Sequence, residues 1–219
     1  MSRAHYRHDR DRQDDMLRSL GRLAVEALRR SLLALRRGDT IGARAVIRAD
    51  EDIDALQRDL DGRIYRFVAL QQPVARDLRR ALAASAVAAE LERAGDYAGH
   101  IARCVQQLAD APRRLDAPPD LARLGELAVA MVEQAVSAFL DQDAVAAREL
   151  ASRDEQADML EESVSAEVRA AVASDLGLLE AGLALLAVAS TLERLADRAT
   201  NIAERVVYMA TGQQELLNE

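Results

Sequence analysis

The amino-acid sequence predicts an all-α protein made of two tandem three-helix bundles that are related by internal duplication. Ala, Leu, Arg and Glu dominate the 219 residues and only 3% are aromatic, a composition that favours helix. Breaks containing Pro, Gly or Asp divide the chain into six segments with helical spacing of apolar residues. The second half then repeats the order of the first.

The six helices are predicted at 13–37, 39–71, 74–110, 119–141, 143–174 and 177–212. Gly38 closes the first helix, and Asp39 caps the second. Apolar residues of the second helix recur at steps of three, four or seven, which indicates one buried face. They are Val46, Ile53, Leu56, Leu60, Ile64 and Phe67. Pro73 marks the turn into the third helix.

A second group of prolines, Pro112, Pro118 and Pro119, predicts a linker at about 111–120. The first bundle is therefore placed at 1–111 and the second at 112–219. Asp143 is the predicted cap of the fifth helix, and a weaker break precedes the sixth. No segment alternates with period two for long enough to form a strand.

The duplication is visible as short phrases that return 104 residues later. LGRLAV at 20–25 returns as LGELAV at 124–129, and ADEDIDAL at 49–56 returns as RDEQADML at 153–160. In the third helix the offset falls to 101, because the second half has a shorter turn without a proline. The matches stay in order along most of the chain, which favours two copies of one three-helix unit.

Charge and hydropathy exclude several classes of protein. The formal net charge is −8, so the chain lacks the overall basic character that nucleic-acid phosphates require, and we expect no nucleic-acid partner. The longest apolar stretches have about nine residues, whereas a membrane span needs about 20, so we expect no membrane insertion. The charged N-terminus is unlike a secretory signal, which predicts a cytoplasmic protein. The single Cys104 excludes an intramolecular disulfide.

Pairs of acidic residues recur in both halves. LERAGDYAGHIAR at 91–103 returns as LERLADRATNIAE at 192–204, and each phrase holds a Glu and an Asp four residues apart, on one helix face. The second helix of each repeat carries a similar Asp pair. The four pairs are Asp50/Asp54, Glu92/Asp96, Asp154/Asp158 and Glu193/Asp197, with Glu51 and Glu155 close by. Oxygen ligands of this kind suit Mg²⁺, Ca²⁺, Mn²⁺ or iron, so the pattern predicts an acidic multi-metal site on each bundle.

The alternative is that these pairs are ordinary solvated helix faces, which is the usual fate of such spacing. Six pairs of this kind occur in the chain, and two of them, Asp11/Asp15 and Asp116/Asp120, lie outside the repeat. The other four occupy matching positions in both copies, which favours metal binding. Their place beside the apolar stripe predicts a site on the bundle surface.

One histidine lies near the first acidic phrase. His100 follows Asp96 by four residues and either adds a nitrogen ligand or belongs to exposed helix surface; its counterpart in the second repeat is Asn201. A ferritin-like redox centre is disfavoured because the chain has no Glu-x-x-His pair. No nucleophile elbow, Walker loop or dinucleotide fingerprint occurs either, so we expect no enzymatic activity.

Over nearly its whole length the sequence resembles the PhoU family of phosphate-signalling regulators. The resemblance rests on an N-terminal His-Tyr before a charged helix, on QQPVARDLR at 71–79, and on both Glu-Arg-x-x-Asp phrases. It implies two three-helix bundles whose acidic motifs hold multinuclear metal clusters of iron, zinc, manganese or magnesium. It assigns ligand roles to Asp50, Asp54, Glu92, Asp96, Asp154, Asp158, Glu193 and Asp197, with Glu51, Glu155, His100 and Asn201 as further candidates.

The sequence departs from the family pattern at two places. SDLGLLEAG replaces the Gln-Pro turn in the second repeat, and His100 stands where the family commonly has Asn.

The resemblance also implies a function. We expect a non-catalytic, homodimeric adaptor that links a phosphate ABC transporter to a sensor histidine kinase and restrains the phosphate-starvation response. It would act at the inner face of the membrane through its partners. Two alternatives stay open: an accessory protein of another phosphate transporter, and a carboxylate-bridged metalloenzyme or metal store.

Overall fold

A computed structural model describes the backbone of residues 3–217, with side chains from residue 8 onward. The helices are α1 (Arg3–Arg37), α2 (Thr40–Gln71), α3 (Ala75–Asp110), α4 (Pro119–Asp141), α5 (Ala144–Arg148), α6 (Leu150–Ser174) and α7 (Leu179–Thr211). A single 3₁₀ turn, Leu176–Leu178, precedes α7, and no strand occurs within the described range. The all-α prediction is confirmed.

The predicted junction between the first two helices, at Gly38 and Asp39, matches the structure. Gly38 has a left-handed φ of 63°, and the backbone N–H of Asp39 bonds the Ala34 carbonyl at 2.9 Å, which closes α1. The Asp39 carboxylate accepts the N–H groups of Ile41 and Gly42 at 3.1 and 2.9 Å. Asp143 caps α5 in the same way. Both caps satisfy N–H groups that have no partner within their helix.

The structure differs from the predicted boundaries at three places. Helix α1 begins at Arg3 and not at 13, because no Gly or Pro interrupts the charged segment and Gln71 at the end of α2 donates to Asp9 at 3.3 Å. The predicted fifth helix is divided at Glu149, whose backbone N–H is shared between the carbonyls of Val145 and Ala147. The start of the sixth predicted helix is the 3₁₀ turn, and α7 begins at Leu179.

Three helices of each repeat pack around one another, and the two bundles share a continuous core. In the first repeat α1, α2 and α3 are in mutual contact; in the second α4, α6 and α7 are, with α5 packed against α7. The bundles meet where α3 packs on α7 and α1 on α4. The predicted stripe of α2 is buried in this core except Leu56, which is half-buried.

Helix α7 is apolar because it is a core helix. The segment Leu176–Thr211 is long and apolar enough to cross a membrane, with a mean hydropathy of 1.6 in its most apolar window. In the structure it packs against α3, α4, α5 and α6, and Leu185, Leu192 and Val206 are at most 1% exposed. Burial within the protein therefore accounts for part of its hydropathy, since 44% of that window is buried.

Two arginines of the segment QQPVARDLRR, which leads into α3, link the first repeat to the second. Arg76 donates to Gln142 in the turn after α4 at 2.7 Å. Arg80 is only 6% exposed; it forms an ion pair with Asp14 of α1, and its guanidinium carbon lies 5.2 Å from the centre of the Phe139 ring of α4. Its second terminal nitrogen lies 3.6 Å from the Met209 sulfur of α7. One buried guanidinium thus contacts helices of both repeats.

Replacing Arg80 with Ala is expected to lower the free energy of unfolding by about 2 kcal/mol, because Asp14 loses its partner in a largely dry setting. Urea denaturation followed by circular dichroism measures this loss. The exposed Arg76→Ala variant is the matched control and should cost less than about 0.5 kcal/mol. If both variants lost the same free energy of unfolding, the buried ion pair of Arg80 would contribute no more to stability than the exposed Arg76 does.

Candidate metal centres

The first acidic cluster lies where α2 crosses α3. Asp50 reaches the backbone of α3 because Gly95 and Gly99 present no side chains there. A Cβ added at Gly95 would lie 3.2 Å from one Asp50 carboxylate oxygen, and one added at Gly99 would lie 3.9 Å from the other. The two glycines therefore let the α2 carboxylate lie directly over the helix that carries Glu92 and Asp96.

The four carboxylates of this cluster interact electrostatically. Burial raises the pKa of Asp50, and the charges of Asp96 and Asp54 raise it further, whereas Arg103 opposes the change. Burial also raises the pKa of Glu92, followed by the charges of Asp96, Asp54 and Asp50, with Arg93 opposing. The structure thus brings together all four residues that the sequence placed in the first site.

One oxygen in this cluster lacks a hydrogen-bond partner. The Oδ1 atom of Asp50 is inaccessible to solvent and receives no hydrogen bond from any described residue. A buried carboxylate oxygen without a donor is energetically costly. A bound cation is one group that would compensate that oxygen.

The second cluster lies where α6 crosses α7 and contains Asp154, Asp158, Glu193 and Asp197. Asp154 is 8% exposed, and burial, together with the charges of Asp197 and Asp158, raises its pKa to about 6, against the opposing effect of the Thr200 hydroxyl. Burial and the charges of Asp197 and Asp158 likewise raise the pKa of Glu193. All four predicted residues are again in one place.

A fifth carboxylate belongs to the second cluster and was missed from the sequence. Glu161 of α6 helps to raise the pKa of both Asp158 and Glu193, although burial and Asp197 matter more. Its position three residues after Asp158 on one helix face was the available signal. Comparing the two repeats did not reveal Glu161, because the matching residue of the first repeat is the uncharged Gln57.

The four further candidates have different surroundings. Glu51 and Glu155 are exposed, and Glu155 contributes the smallest of the four effects that raise the pKa of Asp158. His100 is exposed, and burial and the charges of Arg103 and Arg194 lower its pKa. The charged groups that act on His100 are thus guanidiniums and not the cluster carboxylates. Asn201 is half-buried on α7.

The two clusters differ in the side chains around the buried Asp. The Thr200 hydroxyl, which donates to the Ala196 carbonyl at 3.1 Å, lies close enough to Asp154 to lower its pKa, whereas the matching residue beside Asp50 is Gly99. Arg103 brings a positive charge to Asp50, and its counterpart in the second repeat is Glu204. Asp50 therefore has a guanidinium nearby that Asp154 lacks, while Arg93 and Arg194 act on Glu92 and Glu193 in the same way in the two clusters.

The donor chemistry fits a hard cation, but the side chains are not preorganised around one point. Both clusters offer carboxylate oxygens, which suit Mg²⁺, Ca²⁺, Mn²⁺ or iron. Among the side chains of residues 8–217, no three Asp, Glu, His or Cys groups converge closely enough to coordinate a single ion. Binding therefore requires these half-exposed side chains to change rotamer or to coordinate through water.

Comparison with known proteins gives a consistent result along the whole chain. Residues 17–105 and 121–206 each match the model of the PhoU domain. The phosphate-specific transport system accessory protein PhoU homologue of Clostridium acetobutylicum is 28% identical over 220 residues, which cover 100% of both chains. The homologue of Caulobacter vibrioides is 33% identical over 195 residues, 89% of this chain and 85% of that protein.

Two solved structures share the fold. The crystal structure of PhoU from Pseudomonas aeruginosa superposes with a TM-score of 0.91 at 28% identity, covering 95% of this chain and 100% of that one. The phosphate transport system regulatory protein PhoU from Streptococcus pneumoniae gives a TM-score of 0.89 at 30% identity, covering 96% and 99%. The duplicated two-bundle architecture is thus shared with both crystal structures.

The raised pKa of Asp154 predicts how stability depends on pH. In the unfolded chain this carboxyl titrates near 3.8, and in the folded protein at about 6, so the folded state holds the proton over the intervening range. The stabilisation is present below pH 3.8 and is lost as the pH rises through 6. In protein freed of metal with EDTA, lowering the pH from 7 to 5 should therefore raise the free energy of unfolding by about 1 kcal/mol through this group.

The Asp154→Asn variant tests that assignment. It should show a smaller pH dependence and unfold at a higher urea concentration than wild type at pH 7. The exposed Glu162→Gln on the same helix is the control and should follow wild type. The assignment is wrong if Asp154→Asn keeps the wild-type slope between pH 5 and 7.

Proposed function

We propose, because the chain belongs to the PhoU family, that it is a non-catalytic regulator of phosphate uptake and phosphate signalling. The observation that carries this proposal is the match of both repeats to the PhoU domain, together with full-length relatives named as accessory proteins of phosphate-specific transport systems. Such names describe proteins that assist a transporter. The names favour a phosphate-specific transport system over another phosphate permease as the partner. They also favour an accessory role over a metal store or metalloenzyme.

In this proposal the protein is a cytoplasmic, homodimeric adaptor that works at the inner face of the membrane. Its partners are components of the phosphate ABC transporter and a sensor histidine kinase, and it represses the phosphate-starvation response when phosphate is plentiful. The names of the relatives support the transporter as partner. The kinase and the homodimer rest on the family resemblance. Long helices offer extended grooves for partner helices, which suits such a role.

The acidic clusters serve this role as metal sites. Asp50, Asp54, Glu92 and Asp96 hold cations in the first repeat; Asp154, Asp158, Glu193 and Asp197 hold them in the second, with Glu161 adjacent. A bound cation supplies positive charge where like charges crowd together. The unpartnered oxygen of Asp50 and the raised pKa values of five of these carboxylates support the assignment.

Replacing Asp96 and Asp197 together with Ala should lower the metal content of the purified protein, because each cluster loses one of its charges. Mass spectrometry of the metals after dialysis against iron, manganese or magnesium measures the stoichiometry, and circular dichroism checks that the helices persist. The control is Asp11→Ala with Asp15→Ala, an acidic pair of the same spacing outside the repeat. Unchanged stoichiometry in the Asp96/Asp197 variant would refute the ligand assignment.

In the native host, deletion of the gene should make a phosphate-repressible alkaline phosphatase reporter active in phosphate-rich medium. A plasmid copy of the wild-type gene should restore repression. The Asp96→Ala/Asp197→Ala copy should restore it less well if cations are needed, whereas the Asp11→Ala/Asp15→Ala copy should match wild type. A reporter that stays repressed in the deletion strain would contradict the proposed regulatory role.

A further inference from the structure

A cleft lined by arginines lies at one end of the first repeat, away from the acidic cluster of that repeat. Where α1 begins and α2 ends, the two helices enclose a cleft of about 180 Å³. Arg12 and Gln13 of α1 line it together with Arg63, Arg66 and Gln71 of α2. The cleft lies more than two helical turns beyond Asp54 on α2, so it is separate from the acidic cluster.

The charges in this cleft are unusual for a chain with a net charge of −8. Three arginines line the cleft together with Asp9, and one of them, Arg63, also pairs with Asp59, which leaves a local excess of one positive charge. The Nε atom of Arg63 donates to Asp59 at 3.1 Å, and its terminal nitrogens form no ion pair with a carboxylate in residues 8–217. Arg12 and Arg66 form no ion pair with any carboxylate in residues 8–217. Concentrated guanidinium groups without carboxylate partners attract an anion.

We propose that this cleft binds a phosphate group. A phosphate group carries at least one negative charge near pH 7, which balances the local excess. Its oxygens accept the forked N–H groups of arginine in pairs, and the side-chain amides of Gln13 and Gln71 offer further donors. At about 30 Å³ per water molecule, the cleft has room for a small ion and several waters but not for a nucleotide.

The wall of the cleft strengthens this electrostatic attraction. Phe67 and Leu70 contribute apolar surface beside the arginines, and charge interactions are stronger next to such surface than in open water. Two sources offer the same chemistry: free orthophosphate, and the head group of an anionic phospholipid that meets the end of the bundle. The site depends neither on metal binding nor on the proposed regulatory function.

Equilibrium dialysis with labelled orthophosphate tests the site on the full-length protein, treated with EDTA so that no metal can bind the ion. Wild type should bind one phosphate per chain saturably, and Arg12→Gln with Arg66→Gln should weaken binding about tenfold or more. The matched control is Arg36→Gln with Arg44→Gln, which removes two exposed arginines elsewhere and should leave binding unchanged. Circular dichroism establishes that all variants are folded.

Sedimentation with vesicles separates the two sources. Vesicles of phosphatidylglycerol in phosphatidylcholine are compared with vesicles of phosphatidylcholine alone. Saturable binding of orthophosphate that needs Arg12 and Arg66 identifies the free ion as ligand. Binding only to the phosphatidylglycerol vesicles, lost in the Arg12/Arg66 variant, identifies the lipid head group. The proposal is overturned if neither ligand binds, or if the Arg12/Arg66 and Arg36/Arg44 variants bind alike.

Discussion

Helices α3 and α7 have to pack against several neighbours at once, and the rest of the structure depends on that requirement. Helix α3 contacts α1 and α2 of its own repeat and α7 of the other, while α7 contacts α3, α4, α5 and α6. Alanine and glycine take nine of the 15 buried positions of α3 and seven of the 17 of α7, and such small residues allow helices to pack closely. Across this contact Glu90 and Arg198 form an ion pair at 3.4 Å. The side of α3 that faces α2, and the side of α7 that faces α6, carry the clustered carboxylates.

The packing of these helices explains why the carboxylates crowd. Glu92 and Asp96 of α3 lie close enough to Asp50 and Asp54 of α2 to interact with them, and Glu193 and Asp197 of α7 interact in the same way with Asp154 and Asp158 of α6. Duplication therefore produced two clusters with one architecture. Local substitutions then made them unequal, since Thr200 brings a hydroxyl close to Asp154 where the first repeat has Gly99, and one oxygen of Asp50 lacks a hydrogen-bond donor. Repulsion within each cluster is the physical reason to expect a cation there.

Much of this fold follows from periodicity and from helix-ending residues alone. The steps of three and four along α2, the Gly38–Asp39 junction and the repeat at 104 residues predicted the six-helix plan and the position of both clusters. The break at Glu149 left no signal, because no Gly or Pro occurs there and the change is a small shift in hydrogen bonding. The early start of α1 was missed since its first turns depend on contacts with the end of α2. The role of Arg80 likewise depends on Asp14, Phe139 and Met209, which are distant in sequence.

We propose that cations bind along the line where α2 meets α3 and along the line where α6 meets α7. Anomalous diffraction from crystals of the protein soaked in Mn²⁺ tests it most directly, because the ion is located without assumptions about its ligands. The account predicts anomalous peaks beside Asp50 and Asp96 in the first repeat and beside Asp154 and Asp197 in the second. Peaks elsewhere on the surface, or none at either line, would contradict it.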